Sequence, residues 1–79
     1  MSNPPRPTVL RIRRHDQRAQ HGSFLAFCRK VDMWPSDVAK IETRQIKAGP
    51  SRRERLSSAL GVEEGELFED TGLAKLAEA

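Results

Sequence analysis

Residues 23–42, SFLAFCRKVDMWPSDVAKIE, carry the clearest structural pattern in this 79-residue chain. The stretch opens with Ser23, a residue type that commonly caps helix N-termini. Apolar residues then recur with the i, i+3, i+4, i+7 spacing of a single buried helical face: Phe24, Phe27, Cys28 and Val31. The pattern breaks over residues 32–34, which predicts a tight turn. Pro35 suits the first position of a following helix, because the N–H that proline lacks would be unpaired there.

The helix that begins at Pro35 is predicted to be amphipathic. Val38 and Ile41 supply its inward stripe, and polar residues take the opposite side: Ser36, Asp37, Lys40 and Arg44. We expect this rod to occupy residues 36–47 and to fade between Arg44 and Lys47, before the turn signal Ala-Gly-Pro at 48–50.

The sequence upstream adds one less regular element. Thr8 is a candidate cap for a helix that runs to about Ala19 and stops at His21 and Gly22. Its apolar stripe is thin, and residues 8–12 fit a short extended segment equally well.

The sequence downstream predicts two further helical segments. Residues 51–54, SRRE, read as a capping box for a helix that buries Leu56, Ala59 and Leu60. Gly61 is placed as the left-handed C-cap of that helix. A short turn of helix is expected over residues 62–68. Residues 73–79 are a candidate terminal helix, although they are too few to be stable alone.

These elements predict one all-α domain, a compact bundle of four to five short helices. Residues 1–7 are rich in proline and lack apolar periodicity, so we expect a disordered N-terminal arm. The domain is assigned to residues 8–70 and a C-terminal tail to residues 71–79. About 60–70 residues build only a modest core, which leaves no room for a catalytic cavity and makes a homodimer one way to gain stability.

Charge is distributed unevenly along the chain. The formal charge is +3, from 14 Lys and Arg against 11 Asp and Glu, and nearly all cations precede residue 56. Acidic residues dominate after Gly61: Glu63, Glu64, Glu66, Glu69 and Asp70. A basic body with an acidic end is typical of polyanion binders, although solvated arginine-rich helices show the same pattern.

The remaining composition excludes several classes of protein. No apolar run approaches the roughly 20 residues of a membrane span, and the single Cys28 suits a reducing cytoplasm. His15, His21 and Cys28 lack metal-ligand spacing and are expected to be two surface histidines and a buried thiol. No phosphate-binding loop or nucleophile elbow is present. We therefore predict a protein that is not an enzyme and holds no cofactor or metal.

Two segments together resemble the Cro/C1-type (Xre-like) helix-turn-helix regulators of transcription. The first is residues 23–42, which match a capped helix, a turn and a recognition helix that ends in Ile-Glu. The second is residues 49–68, GPSRRERLSSALGVEEGELF, in which Ala-Leu-Gly-Val followed by Leu-Phe is the more specific part. The resemblance covers more than half of the chain. The first helix matches poorly, because the loop between Arg14 and Ser23 is longer than is usual in the family.

The resemblance implies that the third helix enters the major groove of operator DNA. The residues that would then read base edges are Ser36, Asp37 and Lys40. The residues that would contact phosphates are Arg44, Gln45 and Lys47. Arg6, in the arm, would reach an adjacent groove.

Three residues depart from the family pattern and motivate a second hypothesis. Phe24 stands where relatives often carry glutamine, and Trp34 where a small polar residue is usual. Asp37 repels phosphate, although a carboxylate can accept a hydrogen bond from cytosine. The alternative is an antiactivator with the same fold, which binds another transcription regulator through an apolar patch of Phe24 and Trp34 and leaves DNA alone. Phe24 also fits a core position, and the sequence leaves the exposure of Trp34 open.

Overall fold

Six short α-helices follow one another along residues 7–77, the part of the chain that the computed structural model describes. They are α1 Val9–Asp16, α2 Arg18–His21, α3 Phe24–Lys30, α4 Pro35–Glu42, α5 Pro50–Leu60 and α6 Glu64–Leu67. Within these residues there is no strand, only two isolated antiparallel bridges. The predicted all-α class is confirmed. The predicted N-terminal arm lies, except for Pro7, outside the described residues.

Side-chain caps fix the starts of α1 and α3. The Thr8 hydroxyl accepts a hydrogen bond from the Arg11 backbone N–H at 3.3 Å, so the first segment is helical rather than extended beyond Thr8. The predicted single helix is nevertheless interrupted at Gln17, which separates α1 from α2. Ser23 caps α3 by accepting from the Ala26 N–H at 3.1 Å.

The predicted capping box at residues 51–54 is wrong. Helix α5 begins one residue earlier, with Pro50 at its first position and Gly49 as its N-cap, and no side chain caps it. Proline needs no partner for the missing N–H, so the helix starts before Ser51 can act as a cap. At the other end, Gly61 adopts φ 68° and ψ 32°, the predicted left-handed C-cap.

The core draws residues from every long helix and from the segment that follows α6. Val38 and Ile41 of α4 are completely buried, and so are Leu10 of α1 and Leu56 of α5. The apolar stripe of α3 is confirmed at Phe27 and Cys28 and continues to the buried Val31 just beyond the helix. Helices α3 and α4 are thereby anchored on a common core, which positions the turn between them.

The predicted terminal helix is wrong for residues 73–77, which run extended. Antiparallel bridges join Thr8 to Leu76 and Phe68 to Ala74. The Val9 N–H donates to the Lys75 carbonyl at 2.9 Å, and the Lys75 N–H donates to the Leu67 carbonyl at 2.8 Å. These long-range bonds satisfy backbone groups that so short a helix leaves unpaired. Residues 78–79 of the predicted helix lie outside the described part.

Candidate functional site

Helix α4 presents one polar face to solvent. Val38 and Ile41 hold its opposite side against the core, while Ser36, Ala39, Lys40 and Thr43 are exposed. No described carboxylate lies within 4.0 Å of the Lys40 ammonium. The side chains of Ser36 and Lys40 therefore face solvent, as predicted, where a large ligand can contact them.

Asp37 differs from its neighbours on α4, because its charge is compensated. The residue is half-buried, and its carboxylate accepts a hydrogen bond from the Arg52 guanidinium of α5 at 3.3 Å. The repulsion between Asp37 and a phosphate that the sequence suggests is therefore reduced by a neighbouring cation.

Helix α4 ends at Glu42, so the prediction that it continues to residues 44–47 is wrong. Arg44 adopts the left-handed conformation with φ 62°. Its N–H donates to the Ile41 carbonyl at 3.2 Å, and the Gln45 N–H donates to the Lys40 carbonyl at 2.8 Å. This bond pattern is a Schellman motif, which terminates a helix by turning the chain away from the axis.

Arg44, Gln45 and Lys47 consequently lie in a turn rather than on the face of α4. The Arg44 guanidinium is 3.1 Å from the Glu69 carboxylate, and the Gln45 amide donates to the Thr43 hydroxyl at 2.8 Å. Lys47 is exposed. Of the three predicted phosphate contacts, Arg44 is the one that already holds an anion.

An ion pair that sequence reasoning missed fixes the end of α4 against α1. The Arg14 guanidinium contacts both carboxylate oxygens of Glu42, at 2.5 and 3.1 Å, and both side chains are largely buried. The Thr8 hydroxyl donates to the Glu42 carbonyl oxygen at 2.8 Å. Local sequence patterns do not predict this ion pair, because its partners are 28 residues apart. The one sequence signal at Glu42 is its place in the Ile-Glu ending of the segment that resembles a recognition helix.

Phe24 belongs to the same corner of the molecule and not to the surface around Trp34. It is half-buried, packs on the core, and lies under the Arg14 guanidinium carbon, which is 4.6 Å from the centroid of its ring. The apolar patch of Phe24 and Trp34 stays a prediction, but Phe24 is not among the residues that line the groove beside Trp34.

Trp34 stands at the N-cap of α4, and its side chain is 76% exposed. It borders a groove of about 390 Å³ that is lined by one side of α3, the turn and the first residue of α4. The apolar members of the lining are Leu25, Cys28, Met33 and Pro35. Leu25 is 47% exposed. Among the described residues, Trp34 and Leu25 are the two most exposed large hydrophobic side chains. We call this surface the Trp34 groove.

His21 is buried, which contradicts the prediction of a surface histidine. The Lys30 ammonium is 3.1 Å from Nδ1 of His21, and the Gln17 amide oxygen is 2.9 Å from Nε2 of His21. An ammonium can only donate, so Nδ1 accepts and Nε2 carries the proton. Burial and the neighbouring Lys30 charge lower the pKa of His21 below 6.5. The neutral imidazole thus links α2 to α3, and the Gln17 amide extends the chain of bonds to the Leu60 carbonyl at 2.9 Å.

Cys28 is the buried thiol that the sequence predicts. Burial raises its pKa, so the unreactive thiol form is favoured. The described residues contain no cluster of three potential metal ligands. None of the described helices is long and apolar enough to cross a membrane.

The acidic end of the domain is tied to the basic body by three arginines. Arg13 contacts Glu66 at 3.9 Å, Arg53 contacts Glu64 at 3.7 Å, and Arg44 contacts Glu69 as described above. Cations that have no ion pair with a described residue remain on several elements: Arg11, Arg18, Arg29, Lys30, Lys40, Lys47 and Lys75. Lys40 and Lys47 of this set flank the end of α4.

Comparisons of the chain with known protein families, with curated proteins and with solved structures find no match. The resemblance to helix-turn-helix regulators stays a prediction from the sequence pattern.

Proposed function

We propose that this chain is a small helix-turn-helix regulator of transcription, acting in the cytoplasm, that binds operator DNA through α4. The observation that carries the proposal is the two-sided character of α4. Val38 and Ile41 are fully buried, while Ser36 and Lys40 face solvent next to a short turn from α3. A recognition helix needs this combination, because it must be rigid on one side and open to base edges on the other.

The proposal assigns base contacts to one group of residues and phosphate contacts to another. Ser36 and Lys40 would contact base edges in the major groove. Lys47, and Arg44 after exchange of Glu69 for a phosphate, would contact the backbone. The exchange is cheap, because a partly exposed ion pair contributes only about 0–1 kcal/mol. A homodimer would place two such helices on a two-fold operator.

Binding to DNA from the promoter region of the protein's own gene, measured by fluorescence anisotropy, tests the proposal. Lys40→Ala should weaken binding about tenfold or more, a loss of about 1.4 kcal/mol. Lys47→Ala should make the salt dependence shallower, since each phosphate contact contributes about −0.9 to its slope. Lys75→Ala, which removes an exposed lysine of the C-terminal segment, is the matched control. Equal affinity of Lys40→Ala and Lys75→Ala would contradict a role of α4 in DNA binding.

A second candidate function, the antiactivator, is favoured by the exposure of Trp34. Exposed tryptophans are enriched among the residues that dominate protein interfaces. In this alternative the chain inhibits another transcription regulator through the Trp34 groove and does not touch DNA. Leu25 takes the place of Phe24 in the contact surface.

A reporter assay separates the two functions. If α4 binds DNA, Lys40→Ala loses regulation and Trp34→Ala keeps it. If the groove captures a regulator, Trp34→Ala loses regulation and Lys40→Ala keeps it. Far-UV circular dichroism shows whether each variant remains helical, so that loss of folding is not mistaken for loss of binding.

A further inference from the structure

Trp34 occupies a position where the fold itself would favour another residue. The N-cap of a helix normally carries Ser, Thr, Asp or Asn, whose side chain accepts a hydrogen bond from a free N–H of the first turn. Trp34 makes no such bond, so the first turn of α4 lacks a side-chain acceptor. Since its ring is also 76% exposed, neither capping nor core packing explains the residue.

The charges around the groove favour an anionic ligand. Arg29 lines the groove, is exposed, and has no described carboxylate within 4.0 Å. The one carboxylate in the lining, Asp32, faces the Arg55 guanidinium at 3.8 Å. Arg55 is fixed there, because it donates to the carbonyls of Val31 and Asp32 at 3.2 and 2.9 Å. Arg29 and Asp32 are the charged residues of the lining, and Arg55 contacts Asp32 from outside it, so two guanidinium groups and one carboxylate give this neighbourhood a net positive charge.

The absence of a sheet edge among residues 7–77 constrains the backbone of the ligand. A peptide that binds as an extended strand satisfies its backbone groups by pairing with an exposed edge. The described part of the chain contains only two isolated bridges, and neither involves the groove. A helix satisfies its own backbone hydrogen bonds and can lay an apolar face on a groove without such an edge, so it is the regular structure that this surface favours.

We infer that the Trp34 groove binds an amphipathic helix of a partner protein, with its apolar stripe on Leu25, Met33 and Trp34 and acidic residues facing Arg29. Aromatic residues and methionine are enriched in the centres of such interfaces, and a groove of about 390 Å³ accepts one or two anchoring side chains of the helix. This inference rests on the second candidate function and adds the chemical class of its partner.

The chain supplies its own reporter for this binding. Trp34 is the only tryptophan, so the emission of the protein arises from the groove and moves to shorter wavelength when the indole leaves water. The probes are two tryptophan-free synthetic peptides of about 16 residues, long enough to form a helix on a surface. Both carry leucine at i, i+3, i+4 and i+7, and their polar face is glutamate in one and lysine in the other.

The acidic peptide is expected to give a saturable blue shift, with a dissociation constant at least about tenfold lower than that of the basic peptide. Leu25→Ala should weaken the acidic peptide about tenfold. Arg29→Glu should reverse the preference between the peptides, whereas Lys75→Glu, the same charge change on the C-terminal segment, should leave it unchanged.

Equal binding of the two peptides, or a preference that Arg29→Glu leaves intact, overturns the inference. The absence of any shift with either peptide also overturns it. The reporter assay keeps this failure separate from that of the antiactivator function. If Trp34→Ala abolishes regulation while neither peptide shifts the emission, the groove has a protein partner of another class. If Trp34→Ala regulates normally, the antiactivator function itself is wrong.

Discussion

Replacing Glu42 by glutamine tests how the end of α4 is held. The side chains of Glu42 and Arg14 are 5% and 14% exposed and share two contacts. Glutamine keeps the size of the side chain and one acceptor oxygen, but it leaves the Arg14 guanidinium as an uncompensated cation that is mostly removed from water. Breaking a buried pair in this way costs about 3–5 kcal/mol.

We expect a loss of about 2–3 kcal/mol in the free energy of unfolding. The value falls below the full range because the edge of Arg14 reaches solvent and the glutamine oxygen keeps one hydrogen bond. For a domain of this size, each 1 kcal/mol corresponds to about 4–8 °C, so the melting temperature should fall by about 10–20 °C. The total stability of so small a domain is about 4–11 kcal/mol, which leaves Glu42→Gln folded at 25 °C but clearly weakened.

A double-mutant cycle isolates the pair from its surroundings. Arg14→Met removes the cation but keeps an apolar contact with the Phe24 ring, since sulfur also packs well on aromatic rings. Combined with Glu42→Gln it should be less destabilising than the two single changes added together, with a coupling energy of about 2 kcal/mol. The same cycle on Arg13 and Glu66, 48% and 50% exposed, is the matched control and should give about 0–1 kcal/mol.

Urea unfolding followed by far-UV circular dichroism measures the free energy of unfolding of each protein in the cycle. Tryptophan emission is unsuitable here, because Trp34 is already exposed in the folded state. If Glu42→Gln destabilises no more than Glu66→Gln, or if the effects of Arg14→Met and Glu42→Gln simply add, the ion pair does not hold α4 and the reasoning fails.

Two further predictions concern pH and backbone conformation. Because the pKa of His21 is lowered in the fold, the unfolded chain binds the proton first. The contribution of His21 to stability should therefore be fully present above about pH 7 and be lost as the pH falls through about 6.5 and below. His21→Gln should flatten this part of the pH profile of urea midpoints. Gly72 has φ 95°, and an added Cβ would lie 3.0 Å from the Ala48 carbonyl oxygen. Gly72→Ala should therefore cost more than about 1 kcal/mol, whereas Gly65→Ala, with open space in α6, should gain about 0.5–1 kcal/mol; equal melting temperatures would contradict this.

The sequence predicts the α3–turn–α4 unit well because the signals there are local. Apolar spacing fixes which side of each helix is buried, and Pro35 marks the first residue of α4. Both properties depend only on neighbours within two helical turns. The complete burial of Val38 and Ile41 follows directly from that pattern.

The end of α4 is harder to predict, because a non-glycine residue takes the left-handed position. Gly61 marks the end of α5 openly, whereas Arg44 performs the same role after α4 and Asp32 after α3, with φ 62° and 55°. A left-handed arginine is unfavourable by about 1–2 kcal/mol, so the sequence favours a longer helix. The structure offsets that cost in part through the two backbone hydrogen bonds of the Schellman motif, from Arg44 to Ile41 and from Gln45 to Lys40.

Long-range partners are the other part that local patterns do not contain. The extended pairing of residues 73–77, the burial of His21 and the contact of Arg14 with Glu42 all join segments that are distant in sequence or depend on such contacts. The candidate site is likewise predictable only where it depends on local patterns. The exposed face of α4 is predictable, but the partner of Trp34 in the groove is Leu25 and not Phe24, since Arg14 holds Phe24 elsewhere.

The two proposed functions share one end of α4 and therefore exclude each other on a single molecule. Trp34 immediately precedes the first turn of α4, and Ser36 lies only two residues further on. A helix with its side chains is about 10–12 Å across, so a partner helix seated on Trp34 would also cover Ser36. DNA in contact with Ser36 would in turn leave no space for a partner helix on the groove. A chain that performs both functions would thus be displaced from DNA by its protein partner, and a stable complex of all three would contradict the placement of one of the two sites.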